Sequence, residues 1–251
     1  MDSKNRFAFP KRQNLEKLEA FYAEMDKSGS FDPVIKEGSG VWCAEVHCSR
    51  GELFEKAGMA RVELTKGEVD GGSADITLVQ TLAWPKNPNL PGLIIMASTS
   101  KMEGMDAIIT FYADLIIQNG APLQEDKDIF TDALRAACEK NKQSLEEYQA
   151  FLAGRGMLGG CAAECGILYF FEESDAALLE SLFSGAMEAY KKITSETKPS
   201  PTEDDFIKMR DSRKKIQEWM TTEDYGYKVS RQNNIPEAVI GAYGFPPSAE
   251  G

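Results

Sequence analysis

The sequence predicts an α+β fold in which an antiparallel β-sheet is flanked by α-helices. Three observations predict it. Between residues 41 and 121 the chain runs as short apolar or alternating segments separated by Gly, Pro and Asn clusters, which is a strand pattern. Before this stretch and after it, apolar residues recur at helical spacing. The connections inside it are too short for crossover helices, so neighbouring strands should run antiparallel. Strands first, helices later and one shared core define the class. We read residues 1–251 as a single domain, with an N-terminal helix and lead-in over 1–40, mainly strands over 41–121, and mainly helices with returning strands over 122–251.

Leu15, Leu18, Phe21, Tyr22 and Met25 make 14–25 an amphipathic helix, which Gly29 and Pro33 end. Strands follow at 41–46, 60–64, 76–83, 93–96 and 107–117. After Pro122, Ile129, Phe130, Leu134 and Ala137 predict a helix over 128–140. A second helix over 144–152 opens with a capping-box pattern from Ser144 to Glu147. The Gly-rich piece 154–160 breaks the helical pattern; it lacks the Lys-Ser/Thr of a phosphate loop and the preceding strand of a dinucleotide fingerprint. A buried strand over 166–171, a helix over 174–194, an acidic Pro/Ser linker over 198–205 and a charged helix over 206–220 complete the pattern. The last element, 235–243, reads as a strand or a helix.

A net charge of −12 disfavours nucleic acid and anionic membranes as partners. The apolar run 90–97 contains Pro91 and Gly92 and is far too short to span a bilayer. Residues 1–12 show no apolar signal core. Five cysteines, an odd number, suggest reduced thiols and a cytoplasmic setting.

Five segments occur in a telling order. They are Gly51-Glu52-Leu53-Phe54-Glu55-Lys56-Ala57-Gly58-Met59; Trp84-Pro85-Lys86-Asn87-Pro88-Asn89-Leu90-Pro91; Ala113-Asp114-Leu115 followed by Glu125-Asp126; Gly166-Ile167-Leu168-Tyr169-Phe170-Phe171-Glu172-Glu173; and Ile235-Pro236-Glu237-Ala238 leading to Pro246-Pro247. Together they resemble segments of the oxygen-dependent coproporphyrinogen III oxidases. That resemblance implies a homodimeric sandwich holding a tetrapyrrole between sheet and helices. It also implies oxidative decarboxylation of porphyrinogen propionates in haem biosynthesis, with O2 as co-substrate and no metal or organic cofactor. Asp114 matches the family's acidic residue and would anchor the pyrrole nitrogens. After the proline loop, however, Ile94, Met96 and Ser98 stand where the family has His, Asn and Arg. The late Arg-rich strand has no counterpart between Arg210 and Arg231. The chain also resembles the ferredoxin-dependent bilin reductases, in its proline loop, its later Asp-Leu, its length and its helical C-terminal part. Their catalytic aspartate would fall near Met96. Three functions therefore stand side by side: porphyrinogen oxidation, another tetrapyrrole transformation such as bilin reduction, and non-catalytic binding of a tetrapyrrole or a protein.

The residues themselves support definite roles. Asp114 ends an apolar run, where burial raises a carboxyl pKa; the alternative is a strand-end aspartate accepting backbone N–H bonds. Arg50, Arg61, Lys86, Lys101 and Arg155 are the candidate partners for substrate carboxylates. Met96, with Met102, Met105, Trp84, Phe111 and Tyr112, would wall a flat apolar ligand or pack a core. Glu55 and Lys56 read as exposed hairpin residues, an ion pair fixing the hairpin, or a site pair. His47, the only histidine, lacks any triad signature and alternates with Glu45 on a strand, which reads as a solvent-facing position. Cys161 and Cys165, at i,i+4, read as buried free thiols, so no metal site is expected.

Overall fold

The computed structural model describes residues 7–120 and 123–247. Its centre is an open antiparallel sheet of eight strands, which bears out the α+β expectation. The strands are β1 (Ser30–Phe31), β2 (Ile35–Gly38), β3 (Trp42–Arg50), β4 (Phe54–Val69), β5 (Gly72–Pro85), β6 (Gly92–Met102), β7 (Ile108–Ile116) and β8 (Ile167–Phe171). They run in the order β1-β3-β4-β5-β6-β7-β8, with β2 also paired to β3. β3 to β7 form the meander that the short connections imply, and β8 returns to pair with β7.

Alternation along the strands builds two unlike faces. On the first face Met59, Val79, Ile95, Phe111 and Leu115 join one continuous core. That core also takes in α1 (Arg12–Met25), α2 (Gln124–Lys140) and α5 (Ala176–Ser195) through Leu18, Tyr22, Phe130, Leu182 and Tyr190. Its buried hydroxyls are paired: Tyr22 with Thr81 at 2.9 Å, and Tyr190 donating to the Pro91 carbonyl at 2.9 Å.

The second face carries two separate apolar clusters. One joins Ala44, Val46, Ala60, Val62 and Leu64 to α7 (Tyr225–Gln232) and α8 (Glu237–Tyr243). The other joins Leu82, Trp84, Ile94, Tyr112 and Ile116 to α3 (Leu145–Leu152), α4 (Met157–Gly160) and α6 (Glu203–Thr222).

Several elements differ from expectation for physical reasons. Of the Gly51–Met59 motif only residues 51–53 form the β3–β4 turn, closed by the Gly51 amide donating to the Phe54 carbonyl at 2.9 Å; Glu55 and Lys56 lie inside β4, which begins at Phe54. The edge strands β1 and β2 are almost wholly exposed, so they show no apolar alternation. Residues 235–243 form helix α8, with Val239, Ile240 and Tyr243 buried. α7 is capped by Asp224, which accepts from the Tyr227 amide at 2.6 Å. Ser144 makes no capping bond; its hydroxyl donates to Glu146 at 2.7 Å instead. No helix among the described residues is long and apolar enough to cross a membrane.

Gly58 lies where α8 presses on the sheet. A Cβ there would sit 2.5 Å from the Tyr243 carbonyl oxygen. Gly58→Ala should therefore lower the unfolding free energy by roughly 2–3 kcal/mol, measured by urea denaturation. An unchanged midpoint would show that α8 is free to shift outward.

Candidate functional site

The cross-strand register lines up three rows on the second face. They are Leu64–Ile76–Ser100–Ile108, Val62–Leu78–Ser98–Thr110–Phe170 and Ala60–Gln80–Met96–Tyr112–Leu168. Their β4 members are buried under α7 and α8. From β5 outward the rows open: Ile76, Leu78, Gln80, Met96, Ser98, Ser100 and Thr110 are half-buried, while Ile108 and Phe170 are exposed. The next row, Leu82–Ile94–Asp114, is covered again. A strip of sheet surface thus lies between the two helical clusters. It measures about 14 Å each way, at ~4.8 Å between strands and ~6.8 Å between rows. Phe245 packs against both clusters, and Tyr227 and Trp219 flank them.

The strip is apolar at its ends and neutral-polar in its middle. The side chains of Gln80, Ser98, Ser100 and Thr110 have no hydrogen-bond partner among the described residues. By contrast Thr81, central on the opposite face, donates to the Gly58 carbonyl at 2.8 Å, and Thr99 is bonded to the Phe9 carbonyl. At the covered end, the Tyr112 hydroxyl and the Trp84 indole N–H are buried without partners among the described residues. Burial pushes the Tyr112 phenol far above its ordinary pKa.

The walls of the strip are held by the Phe-Glu-Lys-Ala-Gly motif. Glu55 accepts from Arg213 of α6 at 2.6 Å, and Arg213 also donates to the Pro85 carbonyl and to Gln118, each at 3.2 Å. Gln118 in turn donates to the Leu90 carbonyl at 2.8 Å, which ties the proline loop to the same network. Lys56 is buried and donates to the Gly241 and Phe245 carbonyls at 2.6 and 2.7 Å, where α8 ends. Desolvation pushes its pKa down to about 8. Both residues are therefore structural, and the exposed-hairpin alternative is corrected.

Asp114 lies on the second face, one row beyond Met96, and is fully buried. It accepts from the Leu115 amide at 2.8 Å, the Glu164 amide at 2.9 Å, the Cys165 amide at 3.3 Å and the Cys165 thiol at 3.4 Å. Desolvation raises its pKa to about 6 against the pull of those backbone N–H donors. The carboxylate pins the turn that leads into β8.

Met96 sits in the strip, but the expected cations do not gather around it. Arg50 is exposed at the far side of the sheet, bonded to Asp32 at 3.0 Å and to the Glu55 carbonyl at 3.1 Å. Arg61 is buried on the opposite face, 2.7 Å from Glu63. Lys86 is exposed in the proline loop. Lys101 is exposed near the end of β6, opposite Asp75. Arg155 is exposed, with its guanidinium 3.7 Å above the Phe151 ring. His47 does not face solvent; it is buried on the first face, 2.5 Å from Glu19 and 3.4 Å from Glu45. Cys161 and Cys165 are free and buried. Among the described residues no group of three His, Cys, Asp or Glu gathers at metal-binding distance.

Sequence reasoning missed Gln80, Ser98, Thr110, Phe170 and Arg213. A parity signal existed: positions 94, 96 and 98, where the oxidase family has His, Asn and Arg, all fall on the second face.

Fold and site together define a sheet sandwiched between helices, with a partly open strip beneath its C-terminal helices. The same fold is found in phytochromobilin synthase from tomato, a ferredoxin-dependent bilin reductase, in a crystal structure in complex with biliverdin. The TM-score is 0.60 at 12% identity, covering 91% of this chain and 79% of that one. No protein-family model and no curated protein matches the sequence. Of the two family resemblances, the comparison supports the one to bilin reductases and gives no support to the coproporphyrinogen oxidases.

The raised pKa of Asp114 carries a pH dependence. Its folded-state value lies above the unfolded one, so its contribution to stability is complete below about pH 4 and is lost as pH rises through 6. The stability advantage of the wild type over Asp114→Asn should therefore shrink by about 2 kcal/mol between pH 4 and 7. Denaturant unfolding of both proteins across that range would measure it. A constant difference would mean that Asp114 titrates as an ordinary carboxylate.

Proposed function

We propose that this protein binds a linear tetrapyrrole of the biliverdin class flat against the strip and transforms it reductively, with electrons from an external donor of the ferredoxin type. The observation that carries this reading is the strip itself, a half-open surface of tetrapyrrole dimensions beneath the C-terminal helices of a bilin-reductase fold. The biliverdin held by the fold neighbour supports it. So does the chemistry of the surface: Met96, Leu78, Ile76 and Phe170 suit a conjugated ring system, and the hydroxyls and amide suit its polar edge.

One observation favours a second reading, binding without turnover. Apart from Glu55, Asp114 is the only carboxyl that β3 to β8 turn to this face among the described residues, and it is bonded to its own chain. A reductase must also deliver protons to the reduced pigment.

Parallel absorbance titrations with biliverdin and coproporphyrin test the first step. Saturable, micromolar binding of biliverdin in preference to coproporphyrin is expected. Anaerobic addition of reduced ferredoxin then separates the two readings: loss of the long-wavelength pigment band indicates reduction, and its persistence indicates a binder. Absence of biliverdin binding would sink both.

A further inference from the structure

We infer that the strip recognises its tetrapyrrole through ring nitrogens and lactam oxygens, and forms no ion pair with the propionate carboxylates. This rests on the bilin reading above and specifies how that ligand is held. The carbon skeleton would lie on Met96, Leu78 and Ile76. Gln80, Ser98, Ser100 and Thr110 would meet the N–H and C=O edge, and the propionates would point to solvent.

Four observations carry the inference. First, the free polar groups of the strip are all neutral and all able to both donate and accept. A bilin lactam presents a donor and an acceptor side by side, which such groups match. Second, the strand cations on this face are Arg50 and Lys56. Arg50 is bonded to Asp32, and Lys56 to the Gly241 and Phe245 carbonyls. Third, Arg213, the one buried arginine of the overlying helices among the described residues, is engaged by Glu55, Gln118 and the Pro85 carbonyl. Every other cation of α6 and α7, from Lys208 to Arg231, is exposed, where water and salt screen it. Fourth, the chain carries a net charge of −12, so an unpaired dianionic ligand gains nothing from the protein's field. A carboxylate drawn into a half-buried surface without a cation loses hydration with no return.

The inference is tested by titrating the full chain with biliverdin and with biliverdin dimethyl ester, which lacks both carboxylate charges. Dissociation constants within about threefold of each other are expected, with little change as salt rises from low to high ionic strength. A larger loss on esterification would show that propionate charges are recognised; it would overturn this inference and leave the bilin site standing. The double variant Ser98→Ala/Thr110→Val, checked for an unchanged melting temperature, supplies a second arm. It should bind both ligands about tenfold more weakly, the loss expected for two neutral hydrogen bonds. Unchanged affinity for both would overturn the assignment of the hydroxyls. If biliverdin itself fails to bind the wild type, the bilin reading falls and this inference falls with it.

Discussion

The C-terminal helices are held on the sheet by one five-residue stretch of β4, residues 54–58. The register between β4 and β5 shifts between Phe54 and Lys56, and this bulge changes which way the chain faces. Phe54 enters the first-face core, where it is fully buried, and Lys56 turns to the second face. Between them Glu55 meets Arg213 of α6, and beyond them Gly58 leaves room for the backbone of Tyr243. A lysine buried to this degree loses hydration. Two carbonyl acceptors at the C-terminus of a helix offset that loss, because unpaired carbonyls and the helix dipole both favour a cation there. The most distinctive motif of the sequence thus positions the helices that wall the strip.

The open strip follows from where the two helical groups land. α7 and α8 cover the β3–β4 side, and α6 with α4 covers one end of β5 to β8. The two patches are offset both across the strands and along them. Between them the alternating residues of β5, β6 and β7 stay half-buried, whereas the corresponding first-face residues Thr77, Val79, Thr81, Ile95, Ala97, Thr99, Ile109 and Phe111 are buried. Hydroxyl and amide side chains with no partner among the described residues are therefore left open to solvent in this gap. In a closed core they would each have required a partner.

Much of this was legible in residue order. Alternation located β3 to β7, and helical spacing located α1, α2, α5 and α6. What the pattern could not show was which face would be covered, because Met96, Ser98 and Thr110 read equally as strand surface or as core edge. Arg213 hid in a charged helix that looked solvated. Its spacing from Met209, Ile216 and Met220 nevertheless places it on the buried stripe of α6. The burial of His47 escapes the pattern for a related reason. Alternation with Glu45 assigns it a face but cannot reveal that Glu19 of α1 lies over it. The edge strands carried no signal because an exposed edge imposes no apolar pattern on its residues.

The substitutions that weaken the oxidase resemblance belong together. Ile94, Met96 and Ser98 lie on one strand and one face, in successive rows. Loss of a single charged partner would leave an impaired anion site with an unmatched remainder. Here the His, Asn and Arg positions are all apolar or small, and no cation replaces them from β5, β7 or β8 on that face. The surface there carries no positive charge and presents neutral hydrogen-bonding groups and a methionine. A surface without cations offers no charge by which to select a ligand through its carboxylates. On the bilin reading proposed above, selection would fall to ring shape and to the donor–acceptor edge, and on those terms a linear bilin, with its terminal lactams, would be better matched than a porphyrinogen whose polar groups are mainly its carboxylates.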